Sequence, residues 1–522
     1  MNFKLKNYFY YFIFFYTIIL IYLSLNVGIT HDESYHHFVW LVNKKIYSNY
    51  FLGTNFDIIF PDYGTIFYGI GFQVFSIPFS FLINLVTSNL DFLSKTNILI
   101  SKHPAIVIMF VISGVYLKKI VYLITNHKLF SEICAVLFLL YPYVLGHSFF
   151  NTLDIPFMSV WVICTYYIIK ISTSFLETKR ISNMDIIYLG LLTGFLLSIR
   201  ISGVLIFFEY LIFLIFTLNN INISFYNFIK ITYKKIIIFL GVTSFLFVIL
   251  HPNYWNDFSK IYYAILYMGQ HIQTVCTLTL GTCMKAQNLP STYIPIWLFF
   301  KLPVLILFGL LIFPIVEKKI FLNKNNSVII GSLISTCILI ILSLIFFKVN
   351  LYDELRQLLF LIPIIFIISF SFLFYFSKKL SFLLISSFLL FFIIQNVKIF
   401  PYNYIWLNNF SSFTKINNVF ELDYWGVSTK NIGDFINTKN IQSHECIISN
   451  RNEGIKTFVN NKLCFKNFKE LHKKNSRPFY VVLIERALKK GIPNNCSNIH
   501  NESIKINFSN EKIILANVYK CD

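Results

Sequence analysis

The sequence predicts a polytopic α-helical membrane protein of about eleven transmembrane helices, with juxtamembrane helices in its first outer loop and a small C-terminal α/β domain. Three observations predict it. Charged residues make up 13% of the chain, against about 25% in a soluble domain, so lipid must be the solvent for much of it. Apolar runs near the length a bilayer core demands, about 20 residues, recur from residue 8 to residue 398. Beyond that point the composition turns polar and mixed in charge. The expected division is a transmembrane module over 1–398 and an extramembrane domain over 399–522.

The runs fall at 8–27, 65–86, 103–124, 130–147, 155–172, 185–199, 201–218, 236–251, 292–315, 327–347, 357–376 and 380–398. The first follows Met-Asn-Phe-Lys-Leu-Lys and has no small-x-small cleavage site after it, so an uncleaved first helix is expected. The net charge of +20 does not read as nucleic-acid binding, because the basic residues sit in short clusters between apolar runs. These are Lys118/Lys119/Lys128, Lys179/Arg180, Lys230/Lys234/Lys235, Lys318/Lys319/Lys324 and Lys378/Lys379. The positive-inside rule puts all five on the cytoplasmic side. Alternation from a cytoplasmic N-terminus satisfies all five only if 65–86, which carries Gly69, Gly71 and Pro78, does not cross. That run is expected as a juxtamembrane helix. The outer connections are then 28–102, 148–154, 252–291 and 348–356, and the tail 399–522 is also outside.

In the tail, Cys446–Ser449, Tyr480–Ile484 and Ile513–Val518 read as strands, and Gly433–Asn437 and Glu485–Lys490 as helical. Four tail cysteines, Cys446, Cys464, Cys496 and Cys521, suggest two disulfides in an oxidising compartment, with three connectivities open. Cys276 and Cys283 are candidates for a third, whereas Cys134, Cys164 and Cys337 fall inside spans and read as packing residues.

Candidate chemistry gathers in the outer connections. The first opens with His31-Asp32-Glu33-Ser34-Tyr35-His36-His37. Asp32 reads as a general base, against the plainer reading of a helix cap. The spacing of its His and carboxylate groups matches no zinc pattern, so a divalent metal is not favoured and no cofactor is expected. Asp154 begins a span and falls on the same side as Asp32. Arg200, Lys301 and Arg356 lie at outer boundaries, where basic residues run against the charge rule and a bound anion would explain them. Pairing with Asp353 or Glu354 is the plainer reading of Arg356. His271 is a weaker member of this set.

These features together resemble the GT-C superfamily of membrane glycosyltransferases, and within it the family of protein O-mannosyltransferases and the aminoarabinose transferase of lipid A. The resemblance rests on Asp32-Glu33 after the first span and on Leu153-Asp154-Ile155-Pro156 before another. It also rests on Tyr293 to Lys301-Leu302-Pro303, Asp353 to Arg356, Pro401-Tyr402-Asn403-Tyr404, and Asp423-Tyr424-Trp425-Gly426. Leu153 stands where bacterial relatives often carry Lys. The resemblance implies inverting transfer of a sugar from a polyprenyl-phosphate donor to a lipid, glycan or protein acceptor, on the outer face of a bacterial inner membrane. It gives Asp32 the base role, Glu33 and Asp154 an orienting role, and Arg356, Lys301, Arg200 and His271 the donor phosphate. The alternative class is a transporter or flippase of lipid-linked precursors. It calls for carboxylates inside the spans, where Glu209 is the exception to their near absence.

Overall fold

The computed structural model describes residues 8–60, 63–87, 98–270, 275–439, 441, 445–459, 463–470, 479–484, 488, 491–492, 495–507 and 511–521. Helices come first: α1 (Tyr8–Ser24), α2 (His31–Leu52), α3 (Gly71–Thr87), α4 (His103–Thr125), α5 (Lys128–Leu140), α6 (Pro142–Ser148), α7 (Asp154–Thr178), α8 (Asn183–Ile199), α9 (Ile206–Ile221) and α10 (Phe225–Ile249). After α11 (Ser259–Gln270) and a hairpin of β1 (Cys276–Thr279) and β2 (Thr282–Lys285) come α12 (Tyr293–Lys301), α13 (Val304–Leu311), α14 (Phe313–Phe321), α15 (Lys324–Phe346), α16 (Ile362–Phe376) and α17 (Lys378–Ile399).

Among the described residues seven helical segments are long and apolar enough to cross a membrane, and up to nine if each sharply bent pair counts as one span. The eleven expected spans correspond to these nine plus α1 and α8, apolar helices of 17 residues each. The two bends have a local cause. Tyr141 precedes Pro142 and Leu302 precedes Pro303, and a residue before proline is pushed out of the helical region. Both are extended, with ψ of 114° and 138°. The chain turns by 65° between α5 and α6 and by 115° between α12 and α13. Burial sorts centre from rim. In the most apolar stretch of the 356–376 segment, 94% of residues are buried, against 11% in α10 and 22% in α17, and a helix apolar on every side belongs in the middle.

The run 65–86 contains α3, a shorter apolar helix like α1 and α8. Gln73 near the start of α3 accepts a 2.6 Å hydrogen bond from Lys102 Nζ, just before α4. The chain therefore leaves and returns at the same end of the bundle. Ile77, Phe81, Leu82, Leu85 and Val86 on the far part of α3 are exposed.

Basic clusters and acidic sites separate to opposite ends. Lys118 and Lys128 both approach Glu132, and Lys170 pairs with Asp185 at 2.7 Å. At the other end the connections before α2, α7, α9, α12 and α16 converge with the chain that follows α17. That chain runs through Tyr402, Tyr404, Trp406, Tyr424 and Trp425, all buried in the same apolar core as the helices. It leads through α18 (Ile416–Val419) and α19 (Thr429–Asn437) into β3 (Cys446–Ser449), α20 (Asn452–Lys456), β4 (Cys464–Asn467), β5 (Phe479–Ile484), β6 (Cys496–Ile504) and β7 (Ile513–Cys521). The sheet order is β4-β3-β5-β7-β6, with β3 parallel to β4 and β5, and β7 antiparallel to β5 and β6. Strands β4 and β6 and helix α20 escaped the sequence reading, and Glu485–Lys490 falls largely outside the described residues. Disulfides join Cys446 to Cys464 and Cys496 to Cys521, which selects one of the three connectivities, and Cys276 to Cys283 across the hairpin. Cys134, Cys164 and Cys337 are free and buried.

Candidate active site

The first turn of α2 carries the central carboxylate. Glu33, three residues into the helix, accepts hydrogen bonds from the Thr30 amide at 2.8 Å and the Thr30 hydroxyl at 2.9 Å, tying the helix start. Its other oxygen lies 2.8 Å from His103 Nε2, and His103 Nδ1 reaches Ser24 O at 2.8 Å. Glu33 thus fastens α1, α2 and α4 together, with its side chain 1% exposed. Glu33, expected to orient the acceptor or Asp32, positions the first turn of α2, which carries Asp32. Asp32, one residue earlier, faces the other way and keeps 36% of its side chain exposed.

Arg356 closes on Asp32 from the start of the 356–376 segment. Its Nη1 donates to Asp32 Oδ2 at 2.6 Å, and its Nη2 lies 3.4 Å from Asp353 Oδ2. Arg356 is therefore paired with Asp353, as the plainer reading has it, and also with the candidate base. The guanidinium sits 4.9 Å from the ring centres of both Tyr352 and Trp425, a cation held between two aromatic faces. Among the described residues its Nε has no hydrogen-bond partner, and neither has Nε of Arg200. Arg200 pairs with Asp154 through Nη1. Asp154 is set in turn by Asn151, whose amide donates to Oδ2 at 3.1 Å and whose Oδ1 accepts from the Asp154 amide at 2.8 Å.

The turn before Arg356 is conformationally costly. Asp353 and Glu354 have φ of 56° and 65°, a region that non-glycine residues rarely enter. The Thr277 hydroxyl accepts from the Asp353 amide at 3.0 Å, and Tyr293 donates to Glu354 O at 3.2 Å, holding the turn. The result sends two adjacent carboxylates to two cations: Asp353 toward Arg356, and Glu354 to 2.6 Å from Lys301 Nζ. Neither Lys301 nor Glu354 has any exposed side-chain surface, and Lys301 lies 4.4 Å from the ring centre of Tyr143. Lys301, expected at the donor phosphate, is here paired with Glu354 and sealed from solvent. His271 lies outside the described residues.

Electrostatics separate the carboxylates. Burial pushes the Asp32 carboxyl up, but the charge and hydrogen bond of Arg356, with smaller help from His36 and His31, outweigh it and hold the group at about 2. His36, one turn along α2, is pushed down to about 4, chiefly by burial, so it is neutral at pH 7. Burial outweighs Lys301 at Glu354 and pushes that carboxyl up to about 8. Asp32 is thus ionised and partly exposed, whereas Glu354 is raised and sealed. Tyr68 and Tyr352, raised by burial, feel the charges of Asp32, Arg200 and Arg356 and line the same centre. Tyr68, Tyr352, His36, Asn151 and Trp425 were not singled out as site residues. Helical spacing offers a signal for one of them, since His36 stands four residues after Asp32 on α2. Among the described residues no group of three or more His, Cys, Asp or Glu is arranged to hold a metal ion.

No protein-family model and no curated protein matches the sequence. Among solved structures the chain is similar to ArnT from Cupriavidus metallidurans bound to undecaprenyl phosphate, at 10% identity and a TM-score of 0.48, over 99% of this chain and 98% of that one. It is also similar to ArnT of the same organism in the apo state, at 11% identity and a TM-score of 0.42, over 93% and 98%.

Proposed function

We propose that this protein is an integral-membrane glycosyltransferase that moves a sugar from a polyprenyl-phosphate donor to an acceptor hydroxyl, with inversion at the anomeric carbon. The observation that carries the reading is the Asp32–Arg356 pair: an ionised, accessible carboxylate 2.6 Å from a guanidinium that is stacked between two rings and has a spare N–H. The acceptor oxygen attacks the anomeric carbon while its proton passes to Asp32. The bond from that carbon to the phosphate oxygen breaks, and the oxygen leaves with the electron pair. Charge developing on the phosphate calls for cations fixed in advance, and Arg356 and Arg200 supply it. Asp154 orients Arg200. The reading assigns no cofactor and places the site end of the bundle on the outer face, with the N-terminus in the cytoplasm.

The test is sugar transfer from a radiolabelled polyprenyl-phosphate donor in membranes, with Asp32→Asn compared at equal protein level. Losing a general base costs about 10²–10⁴ in rate. Near-normal turnover in this variant would reduce Asp32 to a structural partner of Arg356 and remove the proposed reaction centre.

A further inference from the structure

A cavity of ≈ 550 Å³ opens between the first turn of α2 and the turn joining β3 to α20. It shares Trp425 with the Asp32–Arg356 centre, and its wall includes His31 and Ser34, on either side of the Asp32-Glu33 pair, with Asp32 itself off the lining. The opposite wall belongs to the C-terminal sheet unit, through Asn450, Arg451 and Asn452. Two polar groups on its lining are deeply buried and have no hydrogen-bond partner among the described residues: Nε1 of Trp425, a residue 4% exposed, and Oγ1 of Thr429, a residue 1% exposed. A buried donor or acceptor left unmade costs about 1–3 kcal/mol; both atoms lie sealed beneath the cavity lining, and a ligand reaches them when the side chains turn.

We infer that this cavity is the acceptor site, and that the acceptor it takes is a saccharide. The inference rests on the glycosyltransferase reading and specifies its second substrate. The chemistry of the wall argues for a sugar ring. A pyranose presents an apolar C–H face and a rim of hydroxyls that each donate and accept. Trp425 supplies a flat apolar surface with one N–H. Ser34 and Thr429 offer hydroxyls of both senses, Asn452 an amide whose Oδ1 lacks a partner among the described residues, and Arg451 a fork of donors. The volume lies within the range of about 300–1,000 Å³ typical of enclosed small-ligand sites. An extended peptide would be taken by an open groove or a free sheet edge, and the strands reach this cavity only through the end of β3 at Ser449. Close packing of α19 on α20 fixes the wall, since a Cβ at Gly454 would meet Thr429 Cγ2 at 2.9 Å.

The test uses the purified full chain in detergent and two photoreactive probes, a hexose disaccharide and a Ser/Thr-containing decapeptide, with labelled positions mapped by mass spectrometry. The expected result is saturable labelling of 425–429 and 449–457 by the disaccharide, displaced by unlabelled disaccharide. Thr429→Val and Arg451→Ala should each weaken it by about fivefold or more, the effect of one net hydrogen bond. If Arg451→Ala lowers Tm, the isosteric Thr429→Val decides. Labelling is read without donor present, so it does not depend on transfer. Loss of transfer in Asp32→Asn and loss of labelling here are therefore separate results, and the catalytic reading can fail without this one. Labelling of these segments by the decapeptide alone, or labelling that neither variant weakens, overturns the saccharide site.

Discussion

Asp32 and Arg356 stand 324 residues apart in sequence and share a 2.6 Å hydrogen bond, so the base of the proposed reaction is held ionised by the group proposed to receive the donor phosphate. That coupling makes a pH prediction. Asp32 has a depressed pKa of about 2 in the unliganded protein, and its basic form is present at every pH above that value. No acid limb in kcat/KM from pH 5 to 8 should trace to it. A phosphate that draws Arg356 away removes the main lowering influence, and the carboxyl rises. The acid limb of kcat should therefore lie at higher pH than that of kcat/KM. Profiles measured at saturating and at limiting donor check this. Coincident limbs would mean that donor binding leaves the pair intact.

Arg356→Ala removes a cation that serves Asp32, Asp353 and, by proposal, the donor. Arg356→Lys keeps the charge and loses the planar fork and its fit between Tyr352 and Trp425. Transfer should fall in both, and further in the alanine variant, with the donor KM of Arg356→Lys raised more than its kcat is lowered. Donor titrations at fixed acceptor separate the two constants. Equal loss in both variants would show that charge at this position does not matter.

How much of this was legible in sequence differs by scale. Hydropathy located the spans, because the bilayer imposes a length on each run independently of its neighbours. Asp32, Asp154, Arg200 and Arg356 were legible because a charge at a membrane boundary needs a reason. The partner of each charge was not. Lys301 and Arg356 look alike in sequence, yet one is sealed against Glu354 and the other opens on Asp32, and the distinction is made by the left-handed turn at Asp353 and Glu354. Trp425 enters from beyond the last span, and no local pattern places a tail residue on a guanidinium 69 positions upstream.

The sealed pair yields its own prediction. Removing one partner of a buried ion pair costs about 3–5 kcal/mol, so Lys301→Met should lower Tm strongly, and Lys301→Met/Glu354→Gln should recover much of the loss. The pH dependence identifies the cause. In wild type the folded Glu354 carboxyl is already raised to about 8 by burial, so stability declines as pH rises from the unfolded value of about 4.3 through about 8, and Lys301, which lowers that carboxyl, limits the decline. In Lys301→Met the buried carboxyl stands alone, with its folded pKa raised further above its unfolded value. Its stabilising contribution is full below the unfolded pKa and declines as pH rises, by up to about 1.4 kcal/mol per unit. Thermal unfolding from pH 5 to 8 should show that decline in the single variant and not in the double. Parallel curves would mean that Glu354 is solvated once Lys301 is gone.

The disulfides and the orientation stand or fall together. Cys446–Cys464 clamps the parallel edge pair of β3 and β4, and Cys496–Cys521 clamps the antiparallel edge pair of β6 and β7, so each bridge pins one edge of the sheet. Loops of 18 and 25 residues closed in the unfolded chain correspond to about 3 kcal/mol each by chain entropy. Cys496→Ser should therefore lower the stability of the sheet unit and increase proteolysis between 479 and 521 while leaving the membrane helices inserted. Such bonds persist only in an oxidising compartment. Peptide mapping without reductant should recover both pairs intact from fresh membranes, and cysteines introduced over 36–60 and 405–440 should label in intact cells while those at 178–183 stay protected. Recovery of all four tail thiols reduced, with labelling of 405–440 only after permeabilisation, would put the Asp32–Arg356 end in the cytoplasm and contradict an outer-face transferase.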